Sequence, residues 1–244
     1  MGTVIVITSG KGGTGKTSLT GGAASCLAAL GRRVLCIDLD IGLRNLDISL
    51  GMTDRALMDF TDVLSGRCSL ERAAVPHPVI QGLHLLTAPL SPPREGLPEA
   101  AMRTLLDQAR SQFDYVLIDS PAGLGSGFRL AVCGADRAVV VSTNDSSALR
   151  DAQRTVAELG KRLDTIHLVM NRIQPKLMRR LRTTIDDAMD AAGLPLLGVI
   201  PEDEDVPYAL NRGIPLRDMN YYAARAYENI ARRITGQQVP LMRF

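Results

Sequence analysis

Residues 3–17 read TVIVITSGKGGTGKT, an apolar run followed by a glycine-rich loop that ends in Lys-Thr. The loop fits G-x-x-x-x-G-K-[ST] and lies between a predicted strand and a predicted helix, which is the context that phosphate binding requires. Its glycines let backbone N–H groups curl around phosphate oxygens, while Lys16 reaches the β and γ phosphates and Thr17 offers a hydroxyl to Mg²⁺. The nucleotide-binding residues predicted here are Gly10, Lys11, Gly12, Gly13, Thr14, Gly15, Lys16, Thr17 and Ser18.

Two predicted strands lead into acidic residues. The strand Tyr115–Asp119 ends in Asp119, and the strand near Arg33–Asp38 leads into Asp38 and Asp40. Because ligands bind outside the carboxyl ends of parallel strands, we expect these acids to approach the phosphate loop. Asp119 would hold a metal ion through its water shell, and of Asp38 and Asp40 one would order metal-bound water and the other the attacking water. A solvated loop is the alternative interpretation of Asp38 and Asp40.

The predicted fold class is α/β, with a doubly wound, mostly parallel central sheet flanked by helices on both faces. Apolar β-type runs alternate with helical patterns, which is typical of repeated βαβ units. Several runs are continuously apolar, as expected when helices cover both sheet faces. The predicted strands lie near Thr3–Thr8, Arg33–Asp38, Leu83–Thr87, Tyr115–Asp119, Ala138–Ser142, Thr165–Met170 and Leu197–Ile200. The predicted helices are Lys16–Leu30, Leu57–Leu64, Glu99–Gln112, Ser147–Leu163, Lys176–Ala192, Val206–Asn211 and Tyr221–Ile234.

The composition fits one globular domain in a chain of 244 residues with a formal net charge of +2. We expect a single domain over residues 1–236 and a short C-terminal tail over residues 237–244. The small net charge argues against nucleic-acid binding, and no segment approaches the roughly 20 apolar residues of a bilayer span. The four cysteines form no C-x-x-C pair and the N-terminus lacks a basic signal region, so a cytoplasmic protein with reduced thiols is expected.

The second lysine of the loop, Lys11, resembles the signature residue of the deviant Walker A motif of the ParA/MinD family of dimerising ATPases. The segment Asp38–Asp47 resembles switch I of the division-site members of that family, more than that of its plasmid-partition or flagellar-number members. Asp119–Gly123 resembles the Walker B and switch II segment, and Val199–Asp203 resembles the adenine-side loop. The resemblance runs from the first strand to about Gly236, nearly the whole chain.

The resemblance implies roles for individual residues. Lys11 would reach the phosphates of a partner subunit, Asp40 would position the hydrolytic water, and Thr17, Asp38 and Asp119 would serve the metal. The residues implied to lie at the adenine are Asn171, Pro201, Glu202 and Asp203. The residues implied to make switch, dimer or partner contacts are Arg44, Asn45, Gly123, Asp145 and Asp151.

The function implied is that of a switch ATPase of bacterial division-site selection, which uses ATP and Mg²⁺, dimerises with ATP and hydrolyses it slowly unless a partner stimulates it. The partners implied are a second copy of the chain, a MinC-like division inhibitor and a MinE-like or other topological factor. The protein would be cytoplasmic, with cycling to the inner face of the cell membrane as a further expectation.

Two departures from the family pattern stand out. The loop Thr143–Ser147 is one residue shorter than its family counterpart, which leaves open whether Asp145 replaces the family's acidic residue. The chain also stops where family members continue to an amphipathic, lipid-binding helix. The last residues follow Pro240 and are too few to form such a helix, so we expect a disordered or packed tail and keep the membrane as a possible partner surface.

Three alternative functions remain open at this point. One is a relative that positions DNA or flagella with the same chemistry. The basic run 176–182 could serve DNA, but acids at Asp186, Asp187 and Asp190 follow on the same predicted helix and favour a solvated helix face. Another is a metabolic phosphate-loop enzyme that acts on a small carboxylate. A third is an iron–sulfur scaffold ATPase, which the unpaired cysteines do not favour.

Overall fold

The computed structural model describes residues 1–93, 96–218 and 221–242, and its central feature is a sheet of eight strands in that part of the chain. The strands are β1 Thr3–Thr8, β2 Val34–Asp38, β3 Val75–Pro76, β4 Leu83–Leu86, β5 Tyr115–Asp119, β6 Arg137–Ser142, β7 Ile166–Ile173 and β8 Leu196–Pro201. The helices are α1 Lys16–Ala29, α2 Asn45–Ser49, α3 Phe60–Leu64, α4 Leu70–Ala73, α5 Glu99–Gln112, α6 Ser126–Val132, α7 Ser146–Leu159, α8 Pro175–Leu181, α9 Ile185–Ala192, α10 Asp205–Arg212 and α11 Tyr221–Ile234, with a 3-10 helix at Leu216–Asp218.

The strand order is β3-β4-β2-β5-β1-β6-β7-β8, and every pairing is parallel except that of the short edge strand β3 with β4. The prediction of a doubly wound, mostly parallel sheet is therefore confirmed. Strand β5 lies between β2 and β1, and Asp119 of β5 is in register with Asp38 of β2 and with Ile7 of β1. The carboxyl ends of three adjacent strands thus meet at one edge of the sheet.

Each face of the sheet has its own apolar core. Helices α5, α6, α7 and α9 cover one face, and helices α1, α10 and α11 cover the other. Helix α1 is buried without interruption from Leu19 to Ala28, because α11 packs directly on it. Gly22 permits this close contact, since a Cβ there would lie 2.5 Å from the ring of Tyr227. The N-terminus of α1, which carries the phosphate loop, is thereby fixed against the sheet.

The prediction of one helix over Lys176–Ala192 is wrong, because the structure divides this segment into α8 and α9. Arg182 ends α8 in the left-handed region with φ of 52°, and Thr184 begins α9 as its N-cap residue. The hydroxyl of Thr184 accepts from Asp187 N, and the Asp187 carboxylate accepts from Thr184 N, which is a complete capping box. The acids of α9 therefore do not share a helix with the basic run of α8.

Smaller differences have local causes. The predicted helix Leu57–Leu64 begins only at Phe60, because Asp59 caps it by accepting a hydrogen bond from Thr61 N. Strand β7 continues to Ile173, so Asn171 lies inside the strand rather than just after it. Helix α7 ends at Leu159, short of the predicted Leu163. Helices α2, α4 and α6 were not predicted; each has seven residues or fewer.

The described part of the tail packs against the domain. The Arg233 guanidinium donates to the carbonyls of Val239 and Pro240 and also to that of Leu197 in β8. Met242 packs against the core under α11. The last two residues of the predicted tail, Arg243 and Phe244, lie outside the described residues. In the described part of the chain, no helix is both long and apolar enough to cross a membrane.

Candidate functional site

The phosphate loop follows β1 and leads into α1, as predicted. Gly15 precedes the helix with φ of 95°, and a Cβ at this position would lie 2.0 Å from Asn171 Nδ2. Both observations require glycine. The Asn171 amide donates to the Thr14 carbonyl at 2.8 Å, and its oxygen accepts from Arg172 N at 2.9 Å. Asn171 therefore ties the loop to β7.

Lys16 points inward, toward the cradle that the loop forms. Its Nζ donates to Ser9 Oγ at 3.1 Å, and the residue is only 9% exposed. Burial lowers the pKa of the Lys16 ammonium, while the charges of Asp119 and Asp40 oppose that effect. A cation with a single neutral partner at a helix N-terminus is well placed to receive a phosphate group.

Asp119 closes the other side of the cradle. Thr17 Oγ1 donates to Asp119 Oδ2 at 2.7 Å, and Thr20 Oγ1 lies 3.4 Å from Asp119 Oδ1. Thr17 and Thr20 are three residues apart on α1, so both hydroxyls lie on the face that meets β5. The hydroxyl and the carboxylate predicted to serve a metal ion are thus brought together.

Asp38 anchors the segment that follows β2. Its Oδ1 accepts from Asp40 N at 2.8 Å, and its Oδ2 accepts from Leu46 N at 3.2 Å. The Asp40 carbonyl in turn accepts from Arg44 N at 3.2 Å. The residues between Asp38 and Leu46 therefore form a folded loop with Asp38 at its base, rather than a solvated connection.

Burial disfavours the charged form of the carboxylates on the acidic side of the cradle. Burial, followed by repulsion from Asp38, raises the pKa of Asp119 to about 7. Burial also raises the pKa of Asp38 to about 6, against hydrogen bonds from the Asp40 and Leu46 amides. For Asp40 burial again raises the pKa, and the charge of Lys16 lowers it.

This set of donors fits Mg²⁺, which prefers carboxylate and hydroxyl oxygens and keeps several water ligands. A bound cation would remove the repulsion between Asp38 and Asp119. Within the described residues, no three acidic, His or Cys side chains form a metal cage by themselves. The ion would therefore need phosphate oxygens and water as further ligands.

Lys11 points the opposite way from Lys16. Its Nζ donates to Ser147 Oγ at 2.9 Å and to Asp145 Oδ1 at 3.4 Å, and its side chain is 46% exposed. Asp145 also caps α7 by accepting from Ala148 N at 2.9 Å. Hydrogen bonds from Ser147 and Thr143 hold the pKa of Asp145 well below its usual range. Asp145 therefore meets the signature lysine of its own chain.

A cavity of about 290 Å³ lies beside the phosphate loop at the end of β8. It is large enough for a purine base. All four residues predicted to lie at the adenine line it, and so do three residues of the predicted phosphate-loop set: Asn171, Pro201, Glu202 and Asp203, with Gly13, Gly15 and Ser18. Arg172 and Glu202 form a two-pronged ion pair at its rim, with Nε to Oε2 at 2.9 Å and Nη2 to Oε1 at 3.1 Å. The Asn171 amide nitrogen is engaged with the loop, so its predicted contact with adenine stays a prediction.

Of the other residues predicted to make switch or partner contacts, two lie at the start of α2 and two contact the segment that leads into the phosphate loop. Arg44 pairs with buried Asp47 at 3.2 Å, and Asn45 is the first residue of α2. Gly123 has φ of 84° and donates from its N–H to the Ser9 carbonyl at 3.3 Å. The Asp151 carbonyl packs against the start of the loop, where a Cβ on Gly10 would lie 2.4 Å away.

Several residues of the site were not predicted from the sequence: Ser9, Thr20, Asp47, Thr143, Ser147 and Arg172. Thr20 had a usable signal, because it follows Lys16 by four residues and Thr17 by three, and so shares their helix face. Ser9 also had a usable sequence signal, because it is the residue that joins the strand to the loop. For Arg172 no sequence signal was available, because its place depends on where β7 ends.

Comparison with known proteins identifies the family. Residues 5–216 match the CobQ/CobB/MinD/ParA nucleotide binding domain. The chain is 41% identical over 246 residues to the septum site-determining protein MinD of Bacillus subtilis, which covers 99% of this chain and 92% of that protein.

Solved structures agree with this result. MinD in the MinC:MinD cell division protein complex of Aquifex aeolicus is 37% identical, with a TM-score of 0.91 and 99% coverage of both chains. The MinD of Pyrococcus horikoshii, solved with Mg-ADP, is 30% identical, with a TM-score of 0.84 and 96% coverage of both chains. The chain therefore belongs to the CobQ/CobB/MinD/ParA nucleotide-binding family and, within it, to the septum site-determining MinD ATPases of cell division.

Proposed function

We propose that this chain is an ATP- and Mg²⁺-dependent switch that forms a homodimer when ATP is bound and returns to monomers after slow hydrolysis. One observation carries the proposal. The two lysines of a single phosphate loop diverge, Lys16 into a buried cradle and Lys11 onto an exposed face. Lys16 suits a phosphate bound within its own subunit, and Lys11 suits a group that belongs to a neighbouring molecule.

Within the subunit, Lys16 and the loop amides would bind the β and γ phosphates. Thr17, Asp38 and Asp119 would hold Mg²⁺, directly or through water. The ion, when bound, would bridge phosphate oxygens and neutralise the charge that develops during transfer. The Mg-ADP complex of the Pyrococcus horikoshii relative supports this assignment.

Asp40 would orient the water that attacks the γ phosphate. Its backbone is fixed by Asp38, and its carboxylate interacts with the charge of Lys16, which supports a position near the γ phosphate that Lys16 would bind. A carboxylate that orients water contributes on the order of a hundredfold by itself, which is a small part of the acceleration that an enzyme needs. We expect hydrolysis to be slow until a second cation and a stimulating partner complete the site.

Gly12 supports the dimer. Its φ lies outside the left-handed region, and a Cβ there would meet no atom within 4 Å in the described part of the chain. Neither the fold nor the packing of one subunit therefore requires glycine at this position. Close approach of a further group would require it, either a phosphate held by the same loop or a residue of a second copy, and Gly12 adjoins Lys11 on the same exposed face.

The solved relatives support one of the proposed partners. The Aquifex aeolicus MinD has been solved with MinC, which supports a MinC-like division inhibitor as a partner of this chain. A MinE-like or other topological factor would stimulate hydrolysis. The ATP dimer would act in the cytoplasm and cycle to the inner face of the cell membrane, with the nucleotide state setting the proportions of the two forms.

Light scattering tests the central claim. We expect the 26.3 kDa chain to double in mass with ATP and Mg²⁺, and to stay monomeric with ADP or with ATP and a chelator. A monomer under all conditions, with ATP shown to be bound, would refute the dimer switch. Co-sedimentation with anionic liposomes under the same conditions tests the membrane step, and binding that is equal in ATP and ADP would contradict nucleotide-controlled cycling.

A further inference from the structure

We infer that helix α8 presents two exposed leucines to a second copy of this chain, so that Leu177 and Leu181 become buried in the ATP-bound dimer. The inference rests on the dimer proposed above and names a surface that completes it. It concerns residues for which neither the phosphate chemistry nor the fold of one subunit gives a role.

The leucines share an open groove of about 460 Å³ with the phosphate loop. Lys11 and Gly12 line this groove together with Leu177 and Leu181. The residue that we propose to act on the partner subunit and the apolar residues of α8 therefore belong to one continuous face. A second copy that reaches Lys11 must also pass over α8.

The exposure of the leucines is a consequence of how α8 is fixed. Met178 is buried at 8% exposure and anchors the helix to the core. Leu177 and Leu181 are four residues apart, so they lie on one face of the helix, and they remain 42% and 54% exposed. Helix α8 cannot bury them by rotation without exposing Met178.

Helix α8 is also tied to the loop that holds Lys11. Asn144 Nδ2 donates to Thr183 Oγ1 at 3.1 Å, just after the C-terminus of α8. The neighbouring residue Asp145 pairs with Lys11. The same loop therefore contacts both Lys11 and the end of α8. If Lys11 exchanges Asp145 for a group on another molecule, the contacts of this loop change as well.

A second copy is the occupant that fits this face best. A two-fold dimer joins identical patches, so the leucines of each copy would cover the groove of the other. The basic residues of α8, Lys176, Arg179 and Arg180, are exposed as well, and they make an anionic lipid surface the competing occupant. A lipid surface, however, gives no reason for the leucines to share a groove with Gly12 and Lys11.

The first experiment replaces both leucines by glutamine and measures the dimer dissociation constant with a non-hydrolysable ATP analogue and Mg²⁺. Loss of four leucine contacts per dimer is expected to raise that constant on the order of a hundredfold, with nucleotide affinity unchanged. The matched control is Leu57→Gln, because Leu57 is 93% exposed and does not line the groove. Thermal unfolding confirms that each variant is folded.

A second readout follows burial directly. In a Cys68→Ser background, Leu181→Cys should react with a maleimide several-fold more slowly in ATP than in ADP, whereas Leu57→Cys should react equally in both. The remaining native cysteines, Cys26, Cys36 and Cys133, are buried. The inference is supported if the Leu181→Cys variant reacts more slowly in ATP and if this difference disappears when the protein is diluted to monomer.

The outcomes separate the two proposals. A wild-type chain that binds ATP but does not dimerise overturns the proposed function and this inference with it. A wild-type dimer that the double glutamine variant matches, with no protection at position 181, overturns the inference alone. A variant that dimerises normally but loses binding to anionic liposomes also overturns it, and assigns the leucines to a lipid surface.

Discussion

The phosphate loop has an inner side, toward which Lys16 points, and an outer side, toward which Lys11 points. The two sides differ in how far their side chains are already positioned for their proposed roles. On the inner side Lys16 and Asp119 are buried and Thr17 is half-buried, and all three already hold hydrogen bonds that a nucleotide and its metal ion would take over in the proposed function. On the outer side Lys11 is exposed and pairs with a residue of its own chain, Asp145. The inner side is organised to bind, whereas the outer side must exchange its contacts before it can act.

In the proposed function, this difference would let one loop serve two steps, which are nucleotide binding within the subunit and contact with a second copy. Binding needs a preorganised site, because ordering side chains during binding lowers affinity. Switching needs a contact weak enough to be replaced, and an exposed ion pair contributes at most about 1 kcal/mol. The loop would therefore combine a preorganised site for the proposed ligand with an exchangeable contact for the proposed partner.

The strongest test removes the inner cation. Lys16→Ala should weaken ATP binding on the order of a hundredfold and abolish the ATP dimer, because the phosphates lose their buried partner. Titration with a fluorescent ATP analogue measures the affinity, and light scattering measures the dimer. Retention of the ATP dimer in this variant would contradict the assignment of the inner side.

The outer cation should give a different pattern. Lys11→Ala should bind ATP with nearly unchanged affinity, yet form no ATP dimer and lose hydrolysis on the order of a thousandfold, because a cation supplied from outside the subunit is absent. The same titration and scattering assays apply, with phosphate release added. If Lys11→Ala loses as much ATP affinity as Lys16→Ala, then Lys11 also binds nucleotide within the subunit, and the proposed difference between the two sides is wrong.

Asp40 separates hydrolysis from switching. Asp40→Ala should keep both ATP binding and dimer formation while phosphate release falls roughly a hundredfold, because the attacking water loses its carboxylate. Dimer should then accumulate over time, which a scattering time course records. Asp40→Asn serves as the matched variant, since it keeps the size of the side chain. Unchanged turnover in both variants would remove Asp40 from the mechanism.

The carboxylates of the inner side should make the stability of the nucleotide-free protein depend on pH. The pKa of Asp119 is raised to about 7 and that of Asp38 to about 6, so both destabilise the free protein when charged at pH 8. Lowering the pH through 7 and 6 protonates them and should raise the melting temperature by several degrees. Asp119→Asn should flatten this dependence, measured without nucleotide. Equal slopes in both proteins would show that these carboxylates do not control it.

The smallest effect concerns the contact that holds Lys11 in the monomer. Asp145→Asn keeps a good N-cap for α7 but removes the charge that Lys11 meets. Freed of that ion pair, Lys11 should give an ATP dimer about two- to fivefold tighter. Dilution of the ATP dimer in a scattering assay measures the change. A weaker dimer would instead indicate that Asp145 itself contacts the partner subunit.

The sequence was sufficient to place the inner side. A strand followed by the glycine-rich loop fixes Lys16 and Thr17 at a helix N-terminus, and parallel strands bring their carboxyl ends to one edge. Asp38 and Asp119 could therefore be placed beside the loop before their register was known. The register then explains why they repel each other.

The outer side needed the tertiary structure. The contact between Lys11 and Asp145 joins residues 134 positions apart, and nothing in either local sequence specifies it. The break between α8 and α9 also had no usual signal, because Arg182 adopts a left-handed backbone where glycine or asparagine is common. The bond from Asn171 to the loop depended on β7 extending beyond Met170.

One guanidinium joins the tail to the sheet. Arg233 donates to two tail carbonyls and to the Leu197 carbonyl, and Leu197 belongs to β8. Strand β8 ends at Pro201, four residues from Leu197, beside the cavity that we propose for the base. The tail and that cavity are therefore attached to opposite ends of one strand, and in the proposed function a nucleotide in the cavity would be coupled to the tail through β8.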